Sequence, residues 1–168
     1  MTFELKTLSR DAVSRALAKA ERYRLLNEPS EAESICLDAL QVDPGNNDVR
    51  AMLVLALTDQ FDDDLATRAG DALKVVEQLH DPYERAYYTG IVWERKAKAR
   101  LRRGGLGLGP QVYAWLRNAM SWFEQAEALR PEGNDDALLR WNCCARVLMR
   151  DGRLVPASEG FAEPLLLE

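Results

Sequence analysis

Apolar residues recur along this chain mainly at spacings of three and four, the period of a helix face rather than of a strand. The first such face, Val13, Ala16, Leu17, Ala20 and Tyr23, predicts a helix from Ser9 or Asp11 to about Asn27, broken at Glu28-Pro29. Ser30-x-x-Glu33 has the spacing of a capping box and predicts a second helix over about 31–42, stopping before Pro44. Gly45-Asn46-Asn47-Asp48 supplies turn and cap residues for a third helix of about 47–60. The run Asp62-Asp63-Asp64 opens a fourth, ending near His80. Asp81-Pro82 starts a long fifth helix, because Ala86, Gly90, Trp93, Ala97 and Leu101 hold one stripe as far as Arg102-Arg103. Four glycines in the seven residues Gly104–Pro110 predict a mobile loop. From Gln111 a sixth helix carries Tyr113, Leu116, Ala119, Met120, Phe123, Ala126 and Leu129 up to Pro131, and a seventh runs from about Asp135 to Asp151, where Gly152 ends it. Residues 1–8 are then an N-terminal arm, 9–151 a helical domain, and 152–168 an extended tail with two prolines and no helical face.

Composition sharpens this to an all-α reading. Ala and Leu fill 47 positions against 17 for Val, Ile and Thr together, a ratio that leaves no material for a sheet. A formal charge of -5 argues against a nucleic-acid partner, since phosphate affinity needs excess cations. No apolar run reaches the length of a membrane span and the opening MTFELKTLSR lacks a secretory core, so the expected location is the cytoplasm, with no membrane partner. Cys36, Cys143 and Cys144 are odd in number, two of them adjacent on a helix, and read as small buried hydrophobes rather than as disulfides.

Helices arriving in pairs invite a test for internal repetition. Ala32-x3-Cys36-x2-Ala39-x4-Pro44 and Ala119-x3-Phe123-x2-Ala126-x4-Pro131 share one spacing. Ala20-x2-Tyr23 and Gly90-x2-Trp93 supply a small residue followed by an aromatic on the helix before each. This pattern resembles the tetratricopeptide repeat (TPR), in which small residues let paired helices approach and the aromatic of one fills the gap beside its partner. The resemblance implies a short right-handed α-solenoid of about three TPR-like helix pairs, 13–45, 47–81 and 83–132, with the seventh helix as a C-terminal cap. It departs from the family at Ala16, Lys19 and Cys36. The middle pair is about three residues too long, and 26 residues rather than nine separate Trp93 from Ala119.

Candidate chemistry is sparse. Glu77-x-x-His80 has metal-ligand spacing, but His80 is the only histidine and a di-iron bundle needs two such motifs. Gly105-x-Gly107-x-Gly109 follows a helix rather than a strand and has no P-loop lysine. No catalytic residue, metal site or cofactor is therefore expected. The resemblance implies instead a protein-interaction module, an adaptor that holds an extended or helical segment of another protein in a concave groove. The family's inward positions fall on Leu17, Glu21, Arg24, Ala51, Leu55, Tyr87, Ile91, Arg95, Leu138 and Asn142, which implies a mostly apolar groove. The subclass that clamps chaperone C-termini is not matched, because Leu17, Glu21, Met52, Glu84 and Tyr88 stand at its clamp positions. Arg95, Lys96, Lys98, Arg100, Arg102 and Arg103 form a basic patch, read as a solvated helix face first, then as a dock for an acidic partner, and last as a site for RNA or lipid head groups. The alternative is a self-associating structural protein, a homo-oligomer through its end helices, whose groove is filled by its own acidic and apolar tail, Glu159, Phe161, Glu163, Leu165–Leu167 and Glu168.

Overall fold

A computed structural model of the chain describes residues 2–62 and 65–157. Among the described residues the protein is all-α. Seven helices, α1 (Val13–Leu25), α2 (Pro29–Val42), α3 (Asn47–Asp59), α4 (Leu65–Val76), α5 (Pro82–Arg103), α6 (Leu108–Leu129) and α7 (Asp136–Arg150), follow one 3-10 turn at Arg10–Ala12. Each helix packs on the next in the chain; α1 also touches α3, and α3 touches α5.

Local chemistry explains most boundaries and corrects several expectations. Pro29 takes the first turn of α2, where its missing N–H costs nothing. The expected capping box does not form: Glu28 is the N-cap without a side-chain bond, Ser30 donates to Glu31 (2.7 Å), and Glu33 instead receives Arg68 (2.9 Å) and Gln60 (2.7 Å). The proline set the helix start, which freed Glu33 to tie α2 to α3 and α4. Asn46 caps α3 by accepting from the Val49 amide (3.1 Å), and Asp81 caps α5 by accepting from Tyr83 (2.8 Å). The fourth helix stops at Val76, short of His80, because the Asn47 side chain captures the His80 amide (3.1 Å) and turns the chain into α5. Of the acidic run expected to open that helix, Asp63 and Asp64 lie outside the described residues, and Asp62 sits in a turn facing Arg102.

The glycine-rich segment is shorter than expected. Gly104, Gly105 and Gly107 adopt left-handed φ values of 68°, 106° and 70°, but α6 already begins at Leu108, three residues before Gln111. Gly109 lies so close to the backbone of the segment after α7 that a Cβ there would stand 2.1 Å from the Arg153 carbonyl oxygen. Beside it Leu154 is buried, 4% exposed. The start of the expected tail is thus docked on α6, while residues 158–168, including the segment expected to fill the groove, lie outside the described residues.

Two apolar cores result. One gathers α1–α4 around Ala20, Ala32, Cys36, Val49, Val54 and Phe61. The other gathers α5–α7 around Ile91, Val112, Leu116, Phe123 and Cys144. The fifth helix belongs to both, giving Val92 and Ala99 to the first and Tyr83, Ala86, Ile91 and Ala97 to the second. Its close approach to α6 depends on Gly90: a Cβ there would lie 2.5 Å from Cε1 of the fully buried Phe123. Gly90→Ala should therefore lower stability by about 1–2 kcal/mol, overpacking outweighing the better helix propensity of alanine, and pairing it with Phe123→Leu should recover much of the loss. Urea unfolding midpoints of the single and double variants check this; equal stability of Gly90→Ala and wild type would refute it.

Candidate functional site

A polar pocket of about 430 Å³ opens where α1, α3, α5 and α7 face one another. Its walls carry five cations, Arg24, Arg95, Lys98, Arg102 and Arg140, and three carboxylates, Asp59, Asp62 and Glu94. The arrangement follows from helix geometry: Arg95, Lys98 and Arg102 are spaced by three and four, so one side of α5 delivers all three.

Asp59 at the end of α3 gathers two of the cations. Its Oδ2 accepts from Arg24 Nε (2.7 Å), and its Oδ1 accepts from Arg95, which also donates to the Thr58 hydroxyl (2.7 Å). Burial pulls the Arg95 pKa down and Asp59 opposes that pull. Farther along, Arg102 forks onto Asp62 at 3.0 and 3.2 Å. At the floor lies Glu94, with 0% of its surface exposed. One carboxylate oxygen, Oε1, accepts from Lys98 and stands 3.5 Å from Arg140 Nη1, which links α5 to α7. The other, Oε2, is buried and has no hydrogen-bond partner among the described residues. Burial lowers the Lys98 pKa, but the bond and charge of Glu94 outweigh it and hold the ammonium protonated.

Of the ten groove positions expected from the repeat register, Arg24 and Arg95 line this pocket. Leu17 is half-buried against the first core, Glu21 is exposed, and Ala51 and Ile91 are core residues at 8% and 1% exposure. Leu55 and Tyr87 pack against the second core, Tyr87 within an aromatic cluster with Tyr83, Tyr88 and Phe123. Leu138 and Asn142 line a separate hollow with Glu124 and Trp141. α7 is rotated from the expected register because its stripe Ala137, Trp141, Cys144 and Leu148 packs into the second core, which turns Arg140 toward the pocket. The pocket is consequently charged, not mostly apolar. Glu94, Asp59 and Arg140 are not singled out by sequence reasoning; the one available signal is a lone carboxylate, Glu94, one turn before Lys98 at the head of the cationic stretch of α5.

The basic patch divides in two. Arg95, Lys98 and Arg102 face the pocket, whereas Lys96, Arg100 and Arg103 line a hollow on the other side, beside Leu65 and Trp115. There the Lys96 ammonium lies 4.6 and 4.5 Å from the ring centres of Trp93 and Trp115. Arg100 donates to Gln111 (3.1 Å), and Arg103 donates to the Phe61 (3.4 Å) and Asp62 carbonyls at the end of α3. Glu77 and His80 do not share a helix face, and His80 Nε2 sits 3.2 Å from Arg50. Among the described residues no cluster of three or more His, Cys, Asp or Glu side chains could hold a metal ion, and no helix is long and apolar enough to cross a membrane. Compared with protein-family models, curated proteins and solved structures, the chain matches none of them.

Two tests follow. Replacing Lys98 and Arg140 together by Met strands the Glu94 carboxylate in the interior and should cost about 3–5 kcal/mol, while adding Glu94→Leu should return most of it. Chemical denaturation of the three proteins decides, and a triple variant no more stable than the double would contradict the ion-pair account. Burial pushes the Cys36 and Cys144 thiols up to about 12, whereas Cys143 is half-buried beside Lys98 Nζ (3.5 Å). Native protein at pH 8 should therefore alkylate first at Cys143, read by peptide mass spectrometry, with Cys36 and Cys144 reacting only on unfolding.

Proposed function

We propose that the protein is a non-catalytic TPR-like adaptor, a short right-handed solenoid whose concave face holds an extended or helical segment of a partner protein. The observation that carries this is the pocket itself, whose helical lining among the described residues comes from α1, α3, α5 and α7 and not from α2, α4 or α6. Paired helices stacked in sequence with one set turned inward are the geometry by which helical repeats present a binding surface. Support also comes from the close approach of Gly90 and Phe123, a small residue and an aromatic at the positions that the repeat pattern pairs.

Selection from a displayed peptide library tests the reading. Enriched peptides should bind wild-type protein by calorimetry and weaken by about tenfold or more with Leu55→Arg or Arg95→Ala, while Leu37→Ser on the exposed side of α2 should leave affinity unchanged. Binding that is indifferent to Leu55 and Arg95 yet lost with Leu37→Ser would place the interaction on the convex side and overturn the proposal.

A further inference from the structure

Glu94 presents an unusual combination: a carboxylate with no exposed surface, lining an open pocket, one of whose oxygens has no donor. A buried acceptor left unpaired carries a desolvation penalty that a ligand N–H would remove on binding. Around it the pocket carries more cations than carboxylates. Arg140 and Lys98 have side chains 37% and 30% exposed, and each keeps N–H groups beyond those used on Glu94, Tyr87 and Cys143. The site thus asks for two things at once, negative charge for the guanidinium and ammonium groups, and a neutral hydrogen-bond donor for Oε2.

Resting on the adaptor reading, we propose that this pocket binds an acidic peptide segment: a ligand carboxylate draws the partly exposed Arg140 and Lys98 side chains toward itself, which uncovers Glu94 Oε2 to accept a neighbouring backbone N–H. An acidic peptide meets both demands within one residue, since each aspartate brings its own carboxylate and its own amide. A phosphodiester backbone offers acceptors alone, and its charge would also meet Asp59, Asp62 and Glu94. A free ammonium would satisfy Glu94 but enter a pocket of net positive charge. The Glu94 acceptor therefore selects for backbone, and the cations select for side chain.

Fluorescence anisotropy with a short fluorescein-labelled peptide of alternating Asp and Ala tests this against three competitors: the same peptide with Asn for Asp, the same peptide with N-methylated backbone amides, and polyuridylate. Wild type should bind the acidic peptide and lose about tenfold or more in affinity for the Asn and the N-methylated forms. Glu94→Gln, checked for folding by thermal melt, places an amide donor where the N–H must be accepted. It should bring the ratio between N–H and N-methyl peptides close to one. Arg140→Gln should weaken the acidic peptide and leave that ratio intact. Equal affinity for the N-methylated peptide, or tighter binding by Glu94→Gln with the ratio unchanged, would reduce the site to charge alone and overturn the proposal. Polyuridylate bound as tightly as the peptide would overturn it in favour of nucleic acid. If the acidic peptide fails while library peptides still depend on Leu55 and Arg95, this assignment falls and the adaptor reading stands; if neither class binds, both fall.

Discussion

A helix that serves two cores has almost no face left for water, and that is the situation of α5. It gives apolar residues to the core of α1–α4 and to the core of α5–α7, yet much of its surface is charged. Charges in such a place must be met within the protein, because desolvation costs several kcal/mol for each ion that goes unmatched. Nearly all of them are. Glu84 receives Asn47, Arg85 reaches the Leu79 (2.8 Å) and His80 (2.9 Å) carbonyls, Arg95 and Arg102 find aspartates, and Lys96 lies between two indoles. The end of α3, the turn before α5 and the face of α7 are all fixed by what these side chains require.

This obligation also makes the pocket. Three of the five cations that line it come from α5, and the other two, from α1 and α7, are drawn in by Asp59 and Glu94. The pocket is where the pairing is incomplete: its carboxylates are fewer than its cations, and one buried oxygen has no donor among the described residues. An acceptor held among packed helices with one unmet hydrogen bond has its orientation fixed before any donor arrives.

Much of the architecture is legible from local pattern. The 3-and-4 spacing marks the first, fifth and sixth helices, turn and cap residues mark the others, and Asn46 and Asp81 start α3 and α5 by chemistry confined to a few residues. What local pattern misread was decided from a distance. Ser30 and Glu33 have the right spacing for a cap, but Arg68 and Gln60, far along the chain, claim the carboxylate. Glycines read as a loose loop are partly helix, because the backbone at Arg153 needs a residue without a side chain beneath it. The candidate site was legible only in its cations. Glu94 looks in sequence like any surface glutamate paired with Lys98, and its burial depends on α7 closing over it through Arg140, a rotation that no spacing rule contains.

The close approach of Gly90 and Phe123 sets the smallest residue on α5 against a large, fully buried ring on α6. Because packed interiors hold total volume nearly constant, these two places act as a single quantity divided between two helices. Across related sequences they should drift in concert, one growing as the other shrinks, so that neither is conserved on its own while their sum is.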